Sequence, residues 1–135
     1  MASILKVDTL TGVTTAGSIS VTGEGNSTTT NLQQGLIKAW FQIDAASGVL
    51  DDSFNYSSSS DNGTGSFTQN FTNNMANQNY SFVAMPGHDD NTEPGATMVN
   101  MHKAITSGTR VRIANHAGSL VDEQECNGMS SGDLA

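Results

Sequence analysis

The sequence predicts an all-β fold: a small antiparallel β-sandwich or barrel, jelly-roll-like, with an extended N-terminal arm. Three observations carry this expectation. Ser, Thr and Asn make up about a third of the 135 residues while charged residues make up only 13%; these polar side chains compete with helical backbone bonding, and Thr also fits a pleated surface. From Leu36 onward apolar and polar residues alternate with a period of two, which places successive side chains on opposite faces of a strand. Turn-forming residues recur at short intervals, in the rhythm of a sandwich or barrel rather than of βαβ units.

The length suits one domain, divided as an arm over residues 1–35 and a body over 36–135. Apolar residues reach only 36%, below the roughly 45–50% usual when Gly is counted with them, so the core is expected to be thin. The net charge of -8 opposes phosphate backbones and anionic lipid, so neither nucleic acid nor a membrane is an expected partner. A single cysteine, Cys126, allows no intrachain disulfide. With no charged start followed by a long apolar run, the chain is expected to be neither secreted by a signal peptide nor membrane-spanning, and reduced intracellular synthesis is expected. Five Asn-x-Ser/Thr sequons, at Asn26, Asn55, Asn62, Asn70 and Asn79, read as coincidences of an Asn- and Thr-rich chain.

In chain order, the arm carries short apolar pieces containing Ile4, Val7, Ile19 and Val21 among Thr, Gly and Ser. These suit pairing with another chain, not a core of their own. Asn31 is placed to cap one helical turn that Gly35 stops. Ile37, Ala39, Phe41 and Ile43 then point one way, and Lys38, Trp40, Gln42 and Asp44 the other. Phe54 and Tyr56 are expected on one face of a short strand. Residues 57–65 (SSSSDNGTG) supply a turn around Asn62-Gly63, and Phe67, Gln69 and Phe71 lie on the return strand. Residues 73–77 make a helical turn or a bulge. The next strand, with Tyr80, Phe82 and Ala84 against Ser81, Val83 and Met85, is expected to be buried on both faces and to end at Pro86-Gly87. After the acidic loop at 88–95 comes a strand in which Val99 and Met101 share a face, then one with Val111 and Ile113 inward and Arg110 and Arg112 outward. The tail from Ser119 begins as a strand at Leu120-Val121 and is expected to dissolve into Asp122-Glu123-Gln124-Glu125 and a Gly/Ser-rich end.

No local motif places Ser, Cys, His and a carboxylate as a nucleophilic triad, and no glycine loop leads into a helix to cradle phosphate. No catalytic residue and no cofactor are therefore expected. Asp89, Asp90 and Glu93 are candidates for a hard cation such as Ca²⁺ but lack EF-hand spacing, and solvated loop acids, with no metal, are the expectation. His102 and His116 flank a hairpin, where they either meet across strands with Cys126 or Asp122 as metal ligands or remain solvated. Trp40 either covers its own sheet or is covered by a neighbouring subunit. Arg110 and Arg112 either bridge to carboxylates of an adjacent subunit, such as Asp44 or Glu123, or lie solvated. Ile4, Val7, Ile19, Val21, Trp40, Arg110 and Arg112 are thus the candidate interface residues.

The opening MASILKVDTLTGVTTAGSISVTGEGNSTTTNLQQGL resembles that of small tail-fibre-like virion proteins of marine bacteriophages, of cyanophage and pelagiphage type. The resemblance continues through KAWFQID, DNGTGSFTQNFTNNM and the closing GDLA. It implies a non-enzymatic structural protein on the virion surface, attached through its N-terminal arm. The implied form is a homotrimeric capsid-decorating module or short tail fibre, with itself and major capsid or tail proteins as partners. An alternative is a receptor- or carbohydrate-binding module of a phage tail, with Trp40, Tyr56 and Tyr80 stacking on sugar.

Overall fold

The structure, a computed structural model, describes residues 4–13, 18–23, 28–87 and 97–135. They belong to two units, Met1–Leu36 and Ile37–Ala135. In the first, the hydroxyl-rich runs pair as an antiparallel β1 (Ser20–Thr22) and β2 (Thr29–Asn31), with Val21 opposite Thr30. The single turn α1 (Leu32–Gly35) follows, capped by Asn31, whose Oδ1 accepts the Gln34 amide at 3.1 Å. That bond satisfies one of the amides a helix start leaves free. No helix among the described residues is long and apolar enough to cross a membrane.

The second unit is a β-sandwich. Its strands are β3 (Ala39–Asp44), β4 (Val49–Phe54), β5 (Tyr56–Asp61), β6 (Ser66–Phe71), β7 (Ser81–Gly87), β8 (Thr97–Ile105), β9 (Gly108–Asn115) and β10 (Glu125–Ser131). They form two four-stranded sheets, ordered β4-β3-β10-β7 and β5-β6-β9-β8, and every pairing is antiparallel. Hairpins join β3 to β4, β5 to β6 and β8 to β9 within a sheet; the other connections cross between sheets.

Alternation in the sequence sets what lies between the sheets. Ala39, Phe41 and Ile43 of β3 meet Phe67 and Phe71 of β6, Val111 and Ile113 of β9, and Cys126 of β10 in one buried cluster. A file of rings runs through it: Phe82 stacks on Phe41 at 6.1 Å, Phe41 meets Tyr56 edge-on at 5.3 Å, Tyr56 stacks on Phe71 at 4.7 Å, and Phe71 meets Tyr80 edge-on at 5.8 Å. Such offset and edge-on contacts suit aromatic quadrupoles. Gly128, at the middle of β10, leaves the room they need, since a Cβ there would stand 2.7 Å from the Phe41 ring and 3.0 Å from Phe82.

A core short of apolar mass is completed by hydroxyls. The Tyr56 hydroxyl lies 3.0 Å from Ser130 Oγ, and Thr109 Oγ1 lies 3.0 Å from the Tyr80 hydroxyl, which donates to the Gly108 carbonyl at 2.6 Å. Buried polar groups hold structure when so partnered.

Several expectations are corrected. Phe54 and Tyr56 do not share a face: Asn55, at φ 59°, turns the chain from one sheet to the other, leaving Phe54 exposed at the end of β4 and Tyr56 buried at the start of β5. Asn makes this left-handed step at low cost, and its side chain fixes it by accepting the Asn73 amide at 2.7 Å and donating to the Asn73 carbonyl at 3.1 Å. Residues 57–61 form strand β5, not turn, because its serines bond the amides of β6: Asn70 Nδ2 donates to Ser58 and Ser60 Oγ at 3.1 Å, and Gln69 Nε2 to Ser59 Oγ at 2.9 Å. The turn is confined to residues 62–65.

β7 is open on one face, with Val83 and Met85 exposed. Among the described residues it is an edge strand, paired with β10 alone, which is why Pro86 continues it instead of ending it. Residues 73–77 hold an isolated bridge, Met75 to Leu134, rather than a helical turn. The tail does not dissolve. Leu120 makes only a bridge to Ala114, whereas Glu125–Ser131 is an interior strand between β3 and β7; its inward residues are the small Cys126, Gly128 and Ser130, so apolar periodicity does not reveal it. At the other end, pairing of β3 starts at Ala39, leaving Ile37 exposed and Lys38 buried.

Candidate functional site

The chemistry outside the core sits on the two outer sheet faces. On the sheet β4-β3-β10-β7, register aligns Phe54, Trp40, Met129 and Val83 side by side, one from each strand. All four are exposed, Trp40 at 39% and Val83 at 60%, and together they form an apolar row across the whole sheet. The next row on this face is Asp52, Gln42, Asn127 and Met85, and the third holds Val49, Asp44 and Glu125. Rows on one face are two residues apart, about 7 Å. A groove of about 350 Å³ opens beside the indole, lined by Trp40, Val83, Met85, Asn127 and Met129. A contiguous exposed apolar surface of this kind is unusual for an isolated domain.

Asp44 closes the β3–β4 hairpin. Its carboxylate accepts the Ala46 and Ser47 amides at 2.8 and 3.1 Å and the Ser47 hydroxyl at 2.6 Å. The Ser47 hydroxyl and amide hold its pKa below the ordinary carboxylate value, so this end of the face stays negative.

The outer face of β5-β6-β9-β8 has the opposite sign. Arg110 and Arg112 project from β9, Lys103 pairs opposite Arg110, and Asn100 opposite Arg112. Three of the chain's five Lys and Arg residues therefore share one sheet face. Arg110 donates from Nε and a terminal nitrogen to Ser66 Oγ at 3.3 and 3.2 Å. Arg112 Nε is buried without a hydrogen-bond partner among the described residues. No ion pair forms to Lys103, Arg110 or Arg112 among the described residues. His102, exposed in the bulge of β8, has its pKa lowered by desolvation from its neighbours and by the charges of Arg112, Arg110 and Lys103.

The candidate residues thus separate into groups. Trp40 belongs to the apolar row, and Arg110 and Arg112 to the basic face. Ile4, Val7 and Val21 are exposed and Ile19 is half-buried in the first unit. Asp89, Asp90 and Glu93 lie outside the described residues. His102 and His116 do not meet: His116 follows β9 past the Thr97–Asn115 pair, while His102 lies at the other end of β8. Cys126 is buried in the core, where desolvation raises its thiol pKa to about 12. Among the described residues no three of His, Cys, Asp and Glu gather as a metal site. Tyr56 and Tyr80 are buried, so neither is free to stack on a sugar. Sequence reasoning missed Phe54, Val83, Met85 and Met129 as neighbours of Trp40, and Lys103 as a neighbour of the arginines; each belongs to its face only through cross-strand register.

No protein-family model matches the sequence, and no curated protein sequence matches it. A solved structure is similar: the phiAB6 phage tailspike, crystallised in complex with three-repeated oligosaccharides of Acinetobacter baumannii surface polysaccharide. The likeness has a TM-score of 0.56 at 12% identity, over 84% of this chain. The chain corresponds to 23% of that protein's length. At this identity the likeness is one of fold, and it agrees with the all-β reading.

Proposed function

We propose that the chain is a non-enzymatic structural module of a phage tail appendage, working on the virion surface by packing against copies of itself and other tail proteins. The observation that carries this reading is the apolar row Phe54-Trp40-Met129-Val83, which leaves one sheet of a thin-cored sandwich half covered. A partner chain completes such a face. Likeness to part of a tailspike favours a tail over a capsid position, and the resemblance of the N-terminal sequence to marine phage proteins supplies the virion setting. In the first unit, exposed Ile4, Val7 and Val21 are the attachment contacts of this reading.

The test is sedimentation velocity of the full chain over a wide concentration range. Species larger than a monomer are expected, with Trp40→Ser/Met129→Ser sedimenting as a monomer while keeping its circular dichroism. A wild-type chain monomeric at every concentration sinks the self-packing part of the proposal. Gold-labelled antibody on purified particles is expected to mark the tail, and labelling spread over the capsid would reverse that placement.

A second reading, a carbohydrate-binding module, has one favourable observation: the groove beside Trp40 carries an amide, Asn127, next to an open indole face. Glycan titration distinguishes it. Saturable binding by a monomer, abolished by Trp40→Ala, would move the assignment there.

A further inference from the structure

We infer that copies of this chain join head to tail, the apolar and acidic outer face of β4-β3-β10-β7 packing on the basic outer face of β5-β6-β9-β8 of the next copy. The inference rests on the self-packing reading above and names the second surface of that contact.

Complementarity within one chain selects a second copy as the occupant. The first face presents, in successive rows, Phe54-Trp40-Met129-Val83, then Asp52-Gln42-Asn127-Met85, then Val49-Asp44-Glu125. On the other face Met98 stands opposite Ala114, which bridges to Leu120; next come Asn100 with Arg112, then Lys103 with Arg110. Met98 and Leu120 are exposed. Apart from Met85 and Val49, exposed on the two edge strands of the first face, both faces read apolar, then polar, then charged, with opposite signs at the charged end. The spacing agrees as well: Trp40 to Asp44 and Ala114 to Arg110 are each four residues along a strand, about 13 Å. Laid face to face with the rows aligned, apolar meets apolar, Asp52 and Asn127 meet Arg112, and Asp44 and Glu125 meet Arg110 and Lys103.

The charge distribution argues against the simplest alternative, a two-fold contact between identical faces. Pairing two Trp40 faces buries the apolar rows but leaves the three cations and the orphaned Arg112 Nε as they are. Pairing two basic faces sets like charges against each other, which is unfavourable. A contact between different faces satisfies both, and it uses arginine where its planar fork is most effective. Because the faces lie on opposite sides of a sandwich, the contact does not close on itself. It adds copies in a row, in place of the trimer that the family resemblance implies.

The test uses two full-length variants, each with one face disabled by exposed or half-buried residues. Trp40→Lys/Asp52→Lys loses the first face, and Lys103→Glu/Arg110→Glu loses the second. Circular dichroism and thermal melting confirm that both fold; if either does not, Phe54→Lys/Asp52→Lys or Lys103→Glu alone replaces it. Each variant alone is expected to be monomeric, and an equimolar mixture to give 1:1 dimers and nothing larger, since one good face remains on each. Wild type is expected to grow continuously with concentration, and at least tenfold weaker association is expected on raising salt from 50 to 500 mM.

Self-association retained by the Lys103→Glu/Arg110→Glu variant would point to a two-fold Trp40 contact and overturn the inference, while leaving the self-packing reading intact. A discrete wild-type trimer overturns it in the same way. A monomeric wild type removes both. A monomeric wild type that binds an acidic polysaccharide through Arg110 and Lys103 would instead make the basic face a polyanion site.

Discussion

Burial of the Tyr56 ring raises its hydroxyl pKa from 10.0 to about 12, against the opposing effect of its bonds to Ser130 and Thr109. Tyr80 moves in the same direction for the same reason. In the folded chain these hydroxyls stay protonated where an unfolded chain has begun to ionise them. The contribution of Tyr56 to stability is therefore fully present below about pH 10 and is lost as pH rises through its folded value near 12, and Tyr80 adds a loss of the same sign. Denaturant midpoints measured from pH 8 to 12 are expected to fall across that window. Tyr56→Phe is expected to flatten the fall while lowering the midpoint at pH 8, at a cost of about 1 kcal/mol for the lost hydroxyl bonds. Cys126, with its thiol pKa raised to about 12, is expected to resist thiol reagents at pH 8 in the native state and to react fully in denaturant; rapid native labelling would contradict its burial. On the basic face, Arg110→Gln is expected to raise the His102 pKa, read by NMR titration of the ring, because one of the charges holding it down is gone. The buried places of Phe41, Ile43, Val111 and Ile113 are legible from alternation alone. Those of Tyr56 and Tyr80 as hydroxyl partners are not, since the atoms they bond, Ser130 and Thr109, lie far away in sequence.

Among the elements, the change of sheet at Asn55 and the glycine at the centre of β10 are two sensitive points. Asn55→Ala loses both tolerance of the left-handed backbone and the two bonds to Asn73, and about 2 kcal/mol of destabilisation is expected. Asn55→Gly keeps the backbone freedom and is expected to cost less; equal losses would show that the clamp alone matters. Gly128→Ala places a methyl 2.7 Å from the Phe41 ring, and overpacking of this kind costs about 1–3 kcal/mol, measurable by urea unfolding. Both elements were misread from sequence, and for related reasons. A strand of serines carries turn residues yet is held by the amides of its neighbour. A strand whose inward residues are Cys, Gly and Ser has no apolar period to detect, although it occupies an interior position between β3 and β7.

The distribution of charge belongs to the whole molecule. A net charge of -8 describes a uniformly acidic protein, but the fold gathers Lys103, Arg110 and Arg112 on one sheet face and Trp40 with Asp44, Asp52 and Glu125 on the other. Contacts made by such faces weaken with salt because exposed charges are screened within about 8–10 Å at physiological ionic strength. By itself the sequence determined the fold class, the inward residues of β3, β6 and β9, and the outward pair Arg110 and Arg112, because alternation with a period of two is a local property of the chain. Which strands are neighbours, and therefore that Trp40 stands in a row with Phe54, Met129 and Val83 while the arginines stand beside Lys103, was decided only in the tertiary structure. Met129 lies far in sequence from both Trp40 and Val83, and even within the β3–β4 and β8–β9 hairpins bulges shift the pairing, so no local pattern records that register.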